Sequence, residues 1–107
     1  MVIFDSTPYE TLQLAASDDV QSLDDVVFEG DLLVRDGKPA DQLLLQAQVK
    51  DLLFCVGGTD PDRATGVGFL LPAGSTYVVK DPYAIKSFRF TNATAGQNGR
   101  LAFALGF

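Results

Sequence analysis

From Arg100 the chain alternates strictly. Leu101, Phe103, Leu105 and Phe107 are large and apolar, while Arg100, Ala102, Ala104 and Gly106 between them are small or polar. A period of two sends the four large side chains to one face of a strand. The preceding "GQNG", residues 96–99, reads as a turn because Gly and Asn tolerate positive φ. Residues 84–91 set Phe88 and Phe90 on one face with Lys86, and together the two runs predict a C-terminal hairpin with a long loop. Upstream, "LLPAGSTYVV" holds a Pro–x–Gly turn between two short β-rich runs, 69–71 and 76–79, the second ended by "DPY" at 81–83. Residues 57–68 form a loop dense in Gly, Pro, Asp and Thr, which separates this pair from an apolar strand at 52–56.

The first half carries weaker periodicity. Asp36–Gly37 is a hairpin turn signal. Leu43, Leu45, Ala47 and Val49 alternate with Gln46 and Gln48, and the pattern slips at Lys50–Asp51, where a bulge or tight bend is expected. Residues 39–54 are also rich in Leu, Gln and Ala, so a short helix after Pro39 competes with the strand. Val20, Leu23 and Val27 have helical spacing within 17–27. Six to eight short strands with frequent turns predict a mainly β chain: an antiparallel β-sandwich, with one short helix in the N-terminal half as an option.

Composition keeps that picture to one domain, residues 1–107. Apolar residues make up 47% and charged residues 21%, which suits a globular fold and argues against disorder. Net charge is −6, unevenly placed: residues 1–34 hold eight acids and no base, residues 35–107 six acids and eight bases. An acidic chain repels phosphates, so no nucleic-acid partner is expected. The acidic third reads as a solvated face, or as an edge that meets a basic partner such as another copy of the chain. No base precedes Arg35 and no apolar run reaches membrane-spanning length. Neither a signal peptide nor a membrane association is expected, and the chain should be made, soluble, in a cytoplasm.

The residues also weigh against catalysis. Histidine is absent, which removes the usual base for a nucleophile. Cys55, the single cysteine, lies in the apolar "LLFCVG" and reads as inert packing. Without His, zinc has no ligand set. "DPD" at 60–62, "SDD" and "LDD" do not follow the calcium-loop pattern, so no metal is expected. "GGT" and "GVG" lack the Lys and helix start of a phosphate loop, and no acid sits in an evident apolar pocket for glycoside chemistry. No enzyme activity and no cofactor are expected. The residues left as candidates for partner contact are Asp18, Asp19, Asp24, Asp25, Asp60, Asp62 and Arg63.

The second half adds a resemblance. "LLFCVGGTDPDRATGVGFLLPAGSTYVV", "YAIKSFRFTNATAG" and "GRLAFALGF" together resemble a pattern in small virion proteins of tailed bacteriophages. In that pattern a strand ends in Gly, and a polar Thr/Asp loop and a short apolar strand follow. An A–G turn then leads on to another strand, an aromatic strand and a final alternating one. The likeness covers residues 52–107. It implies a jelly-roll-like sandwich with a structural role in the virion. The first expectation is a capsid decoration (cement) protein that binds the major capsid protein, as a homotrimer. A head–tail or tail-fibre accessory protein is the neighbouring alternative. A carbohydrate-binding module is the competing class, weakened by the lack of Trp and by eight Phe against three Tyr.

Overall fold

In the computed structural model, residues 11–23, 33–35 and 37–107 are described. They form ten strands: β1 (Leu12–Ala15), β2 (Gln21–Ser22), β3 (Val34–Arg35), β4 (Lys38–Pro39), β5 (Gln42–Gln48), β6 (Leu52–Cys55), β7 (Phe69–Leu71), β8 (Thr76–Val79), β9 (Arg89–Asn92) and β10 (Arg100–Gly106). One short helix, α1 (Pro82–Lys86), interrupts them. The described part is mainly β, with two antiparallel four-stranded sheets ordered β1-β10-β5-β8 and β2-β9-β6-β7. β3 and β4 pair as a separate two-stranded sheet, with Val34 opposite Pro39 and Arg35 opposite Lys38; of the predicted turn, Gly37 has positive φ and Asp36 lies outside the described residues.

Setting that small sheet aside, the strand order is a jelly roll. The first sandwich strand pairs with the last, the second with the seventh, the third with the sixth and the fourth with the fifth. This is the order two interlocked Greek keys produce. Successive strands mostly change sheet, so the loops arch across the sandwich. The predicted C-terminal hairpin therefore does not form: β9 pairs with β2 and β6, while β10 pairs with β1 and β5. Residues 93–99 carry the chain from one sheet to the other.

Residues 39–54 resolve to strands, whereas within 17–27 only residues 21–22 are strand: 17–20 are loop and Leu23 enters a 3₁₀ turn. Residues 42–48 and 52–55 are β5 and β6, and residues 21–22 are β2. Positions 24–27 lie outside the described residues. The one α-helix among the described residues is in the C-terminal half, where residues 81–88 read as a strand boundary followed by a strand. Pro82 at the first helical position and Asp81 as N-cap explain it. The Asp81 carboxylate accepts from the Ala84 N–H at 3.0 Å, and Pro has no N–H to leave unsatisfied.

The alternation of β10 holds. Leu101, Phe103 and Leu105 point between the sheets, level with Ala47, Leu45 and Leu43 of β5. Phe88 and Phe90 are fully buried, their rings 5.9 Å apart. Truncating a buried Phe such as Phe103 to Ala costs roughly 3–5 kcal/mol, a large share of the stability of a domain this size. Ala102 and Ala104 on the outer side are also nearly covered, which only small side chains permit between the flanking strands.

Candidate functional site

Two features stand out. The first is a polar clasp at one end of the sandwich, where the loops 16–20, 49–51, 72–75 and 93–99 converge. Asn92 ends β9 opposite Leu52, so its amide points into the end of the core and is fully buried. Its Nδ2 donates to Asp18 Oδ1 at 2.9 Å and to Asn98 Oδ1 at 2.7 Å, and its Oδ1 accepts from the Gly99 N–H at 3.1 Å. Gly99 is required by space: a Cβ there would stand 2.8 Å from the Lys50 carbonyl oxygen. Asp18 also accepts from the Gly96 N–H. The Asn92 and Gly96 hydrogen bonds, helped by the nearby Arg63 charge, hold the Asp18 carboxyl below its ordinary value of 3.8. Asp51 fastens a third loop by accepting from the Ala73 N–H at 2.8 Å.

Arg63 reaches the same place from the long 57–68 loop. Its Nη1 lies 3.0 Å from Thr91 Oγ1 and 3.3 Å from the carbonyl oxygens of Asp18 and Asn92. Thr91 is on the outer face of its sheet, and its hydroxyl in turn donates to the Ser17 carbonyl at 3.0 Å. The loop is thus folded back along the sheet. A two-way backbone bridge between Asp62 and Val67 closes its tip. Asp62 Oδ1 caps the Ala64 N–H at 2.9 Å.

Of the sequence candidates, Asp18, Asp62 and Arg63 line one open depression of about 660 Å³. Asp19 and Asp60 are exposed, and Asp24 and Asp25 lie outside the described residues. Asp18, Asp62 and Arg63 are each bonded within the fold. Cys55 is buried; burial, and secondly the charge of Asp60, push its thiol upward, so it stays protonated at neutral pH. Among the described residues no group of three or more His, Cys, Asp or Glu side chains could hold a metal ion. Among them, too, no helix is long and apolar enough to cross a membrane.

The second feature escaped the sequence reading. β7 and β8 are the outer strands of opposite sheets, joined by the 72–75 turn. Phe69 is opposite Phe54, and Tyr77 is opposite Leu45. Both aromatics therefore occupy interior-facing positions, yet Phe69 is 66% and Tyr77 50% exposed. The sandwich is open along this edge. Phe54 forms the floor of the opening, its ring 5.8 Å from Phe69, 5.6 Å from Tyr77 and 5.6 Å from Phe88 beneath. The resulting cleft holds about 490 Å³, with Leu71, Val79 and Ala84 completing its apolar wall and Lys80 and Asp81 its charged rim. Leu70, 58% exposed, faces outward beside it. The residues "FLLPAGSTYVV" announce two strands and a turn. That neither strand has an outer neighbour among the described residues is a property of the topology alone.

No protein-family model matches the chain, and no curated protein and no solved structure matches it either.

Proposed function

We propose that this chain is a non-enzymatic structural protein of a tailed-phage virion, most simply a capsid decoration protein that binds the major capsid protein as a closed homo-oligomer, a trimer first. Its place is then the virion, and its partners are other virion proteins. The observation that carries the reading is the aromatic cleft between β7 and β8. Phe69, Leu70 and Tyr77 are left bare while the polar side chains Asp18, Asp51, Arg63 and Asn92 are engaged in fastening loops. That division suits a rigid module that sticks to other proteins, with apolar area for affinity and the polar groups engaged in the fold. The jelly-roll order and the resemblance over residues 52–107 support it. A carbohydrate-binding reading draws on the same aromatics. The Phe69 and Tyr77 rings, however, are tilted 37° and 47° to the floor ring rather than set as one flat platform, and few polar groups line the cleft.

The test is co-sedimentation of the purified chain with heads of the phage that encodes it. Saturable binding, at a copy number fixed by the shell lattice, is expected. A chain that stays in the supernatant at every concentration, with heads and with tails, overturns the virion role.

A further inference from the structure

We propose that the β7–β8 cleft is where copies of this chain join in pairs, cleft against cleft across a two-fold axis. The inference rests on the closed-assembly reading above and gives it a two-fold contact in place of a trimer.

Three observations select a second copy as the occupant. The first is charge. The chain carries −6, so two copies repel one another over most approaches. The charged residues at the cleft are Lys80 and Asp81, adjacent and opposite in sign. Two copies meeting here bring together apolar walls and a rim whose charges cancel, so this approach escapes the general repulsion. The second is the strand edge. Neither β7 nor β8 has a strand on its outer side among the described residues. An antiparallel strand pair is its own two-fold partner, so an exposed edge is complementary to itself. The third is area. Phe69, Leu70 and Tyr77, exposed by half to two-thirds, present on the order of 300 Å² per copy, the size at which a protein's largest apolar patch is often a contact site. A standard interface takes about 800 Å² from each partner. The three side chains supply the apolar centre of such a contact, and the strand edges and the Lys80–Asp81 rim supply its margin.

The experiment is sedimentation velocity of the purified chain across a concentration series, with Phe69→Lys and Phe69→Glu made separately. Phe69 is 66% exposed but its ring lies 5.8 Å from Phe54, so the thermal midpoint of each variant is measured at low concentration alongside, and Leu70→Lys, at the outward-facing position beside it, replaces any variant that unfolds. The wild type is expected to associate at micromolar concentration, and each variant to associate at least tenfold more weakly because like charges meet at the axis. An equimolar mixture of the two variants should regain association, since Lys from one copy then faces Glu from another. Tyr77→Lys on the opposite wall should behave as Phe69→Lys does. A wild type that is monomeric throughout overturns the inference, as do variants that assemble like the wild type or a mixture that does not recover. Binding to phage heads is read in parallel. Should Phe69→Lys abolish head binding of a monomeric wild type, the cleft belongs to the shell contact and the virion role stands without self-association. An oligomer that ignores heads keeps the cleft and loses the virion role.

Discussion

Asn92 and Asp18, 74 residues apart in the chain, are joined by a 2.9 Å hydrogen bond that ties the second-to-last strand to the first loop of the sandwich. The bond closes the jelly roll at one end, because Asn92 also holds Asn98 and Gly99 of the last loop. Asn92→Ala removes three hydrogen bonds and leaves the buried Gly99 N–H without its acceptor. The expected loss is about 2–4 kcal/mol, since an orphaned buried donor costs more than a bond gains. Denaturant unfolding measures it. A loss below about 0.5 kcal/mol would mean that water or a relaxed loop replaces the amide.

Asp18 makes the same clasp sensitive to acid. Its folded-state carboxyl titrates below the ordinary 3.8, chiefly through the Asn92 and Gly96 hydrogen bonds, so the ionised form is favoured in the fold. A depressed carboxylate contributes its stability in full above the unfolded value and loses it as pH falls toward the folded value. The stability difference between wild type and Asp18→Asn should therefore be constant above about pH 5 and shrink steadily below it. Thermal midpoints of both proteins from pH 7 to pH 2.5 test this. A difference that grows on acidification would reverse the sign and place the Asp18 charge in a repulsive site.

The sandwich was legible in the sequence wherever one face of a strand is buried and the other is not. In β10 and β5 the period of two is clean because Leu101, Phe103, Leu43 and Leu45 share one interior. The pairing was harder to read, since alternation says which way side chains point and not which strand lies alongside. Residues 84–91 and 100–107 look like a hairpin locally, yet a seven-residue arch sends them to different sheets. Helix α1 was hidden by the same stretch, although "DP" before "YAIK" is a capping signal. Among site residues, Asp18 and Arg63 were singled out for charge, and the fold brings them together on the 57–68 loop and the first loop. Asn92 carries no local signal, because nothing in "FTNATAG" reveals a buried amide. The cleft was invisible for a different reason. Phe69 and Tyr77 are patterned as core residues, and it is their place on strands with no outer neighbour among the described residues that exposes them.

The bend after β5 falls on Val49, one residue before the slip expected at Lys50–Asp51, and it takes Val49 off the apolar face where the alternation puts it. The Lys50 N–H donates to the Gln48 carbonyl at 2.8 Å, closing a three-residue γ-turn with Val49 at its centre and φ at +73°. A β-branched residue at positive φ is strained, by roughly 1–3 kcal/mol for positions of this kind. Its side chain is 65% exposed, so little packing offsets that strain. Glycine adopts this φ without a steric penalty but loses more backbone freedom on folding, by roughly 0.5–1 kcal/mol. Relief of strain exceeds that loss, and Val49→Gly should stabilise the protein by about 1 kcal/mol. For a domain of this length, that is roughly 4–8 °C in the thermal midpoint. Val49→Ala, which keeps a Cβ and drops the branch, should fall between wild type and glycine. If Val49→Gly lowers the midpoint instead, the exposed valine is packed against something in solution, and its contact, rather than its backbone, decides the position.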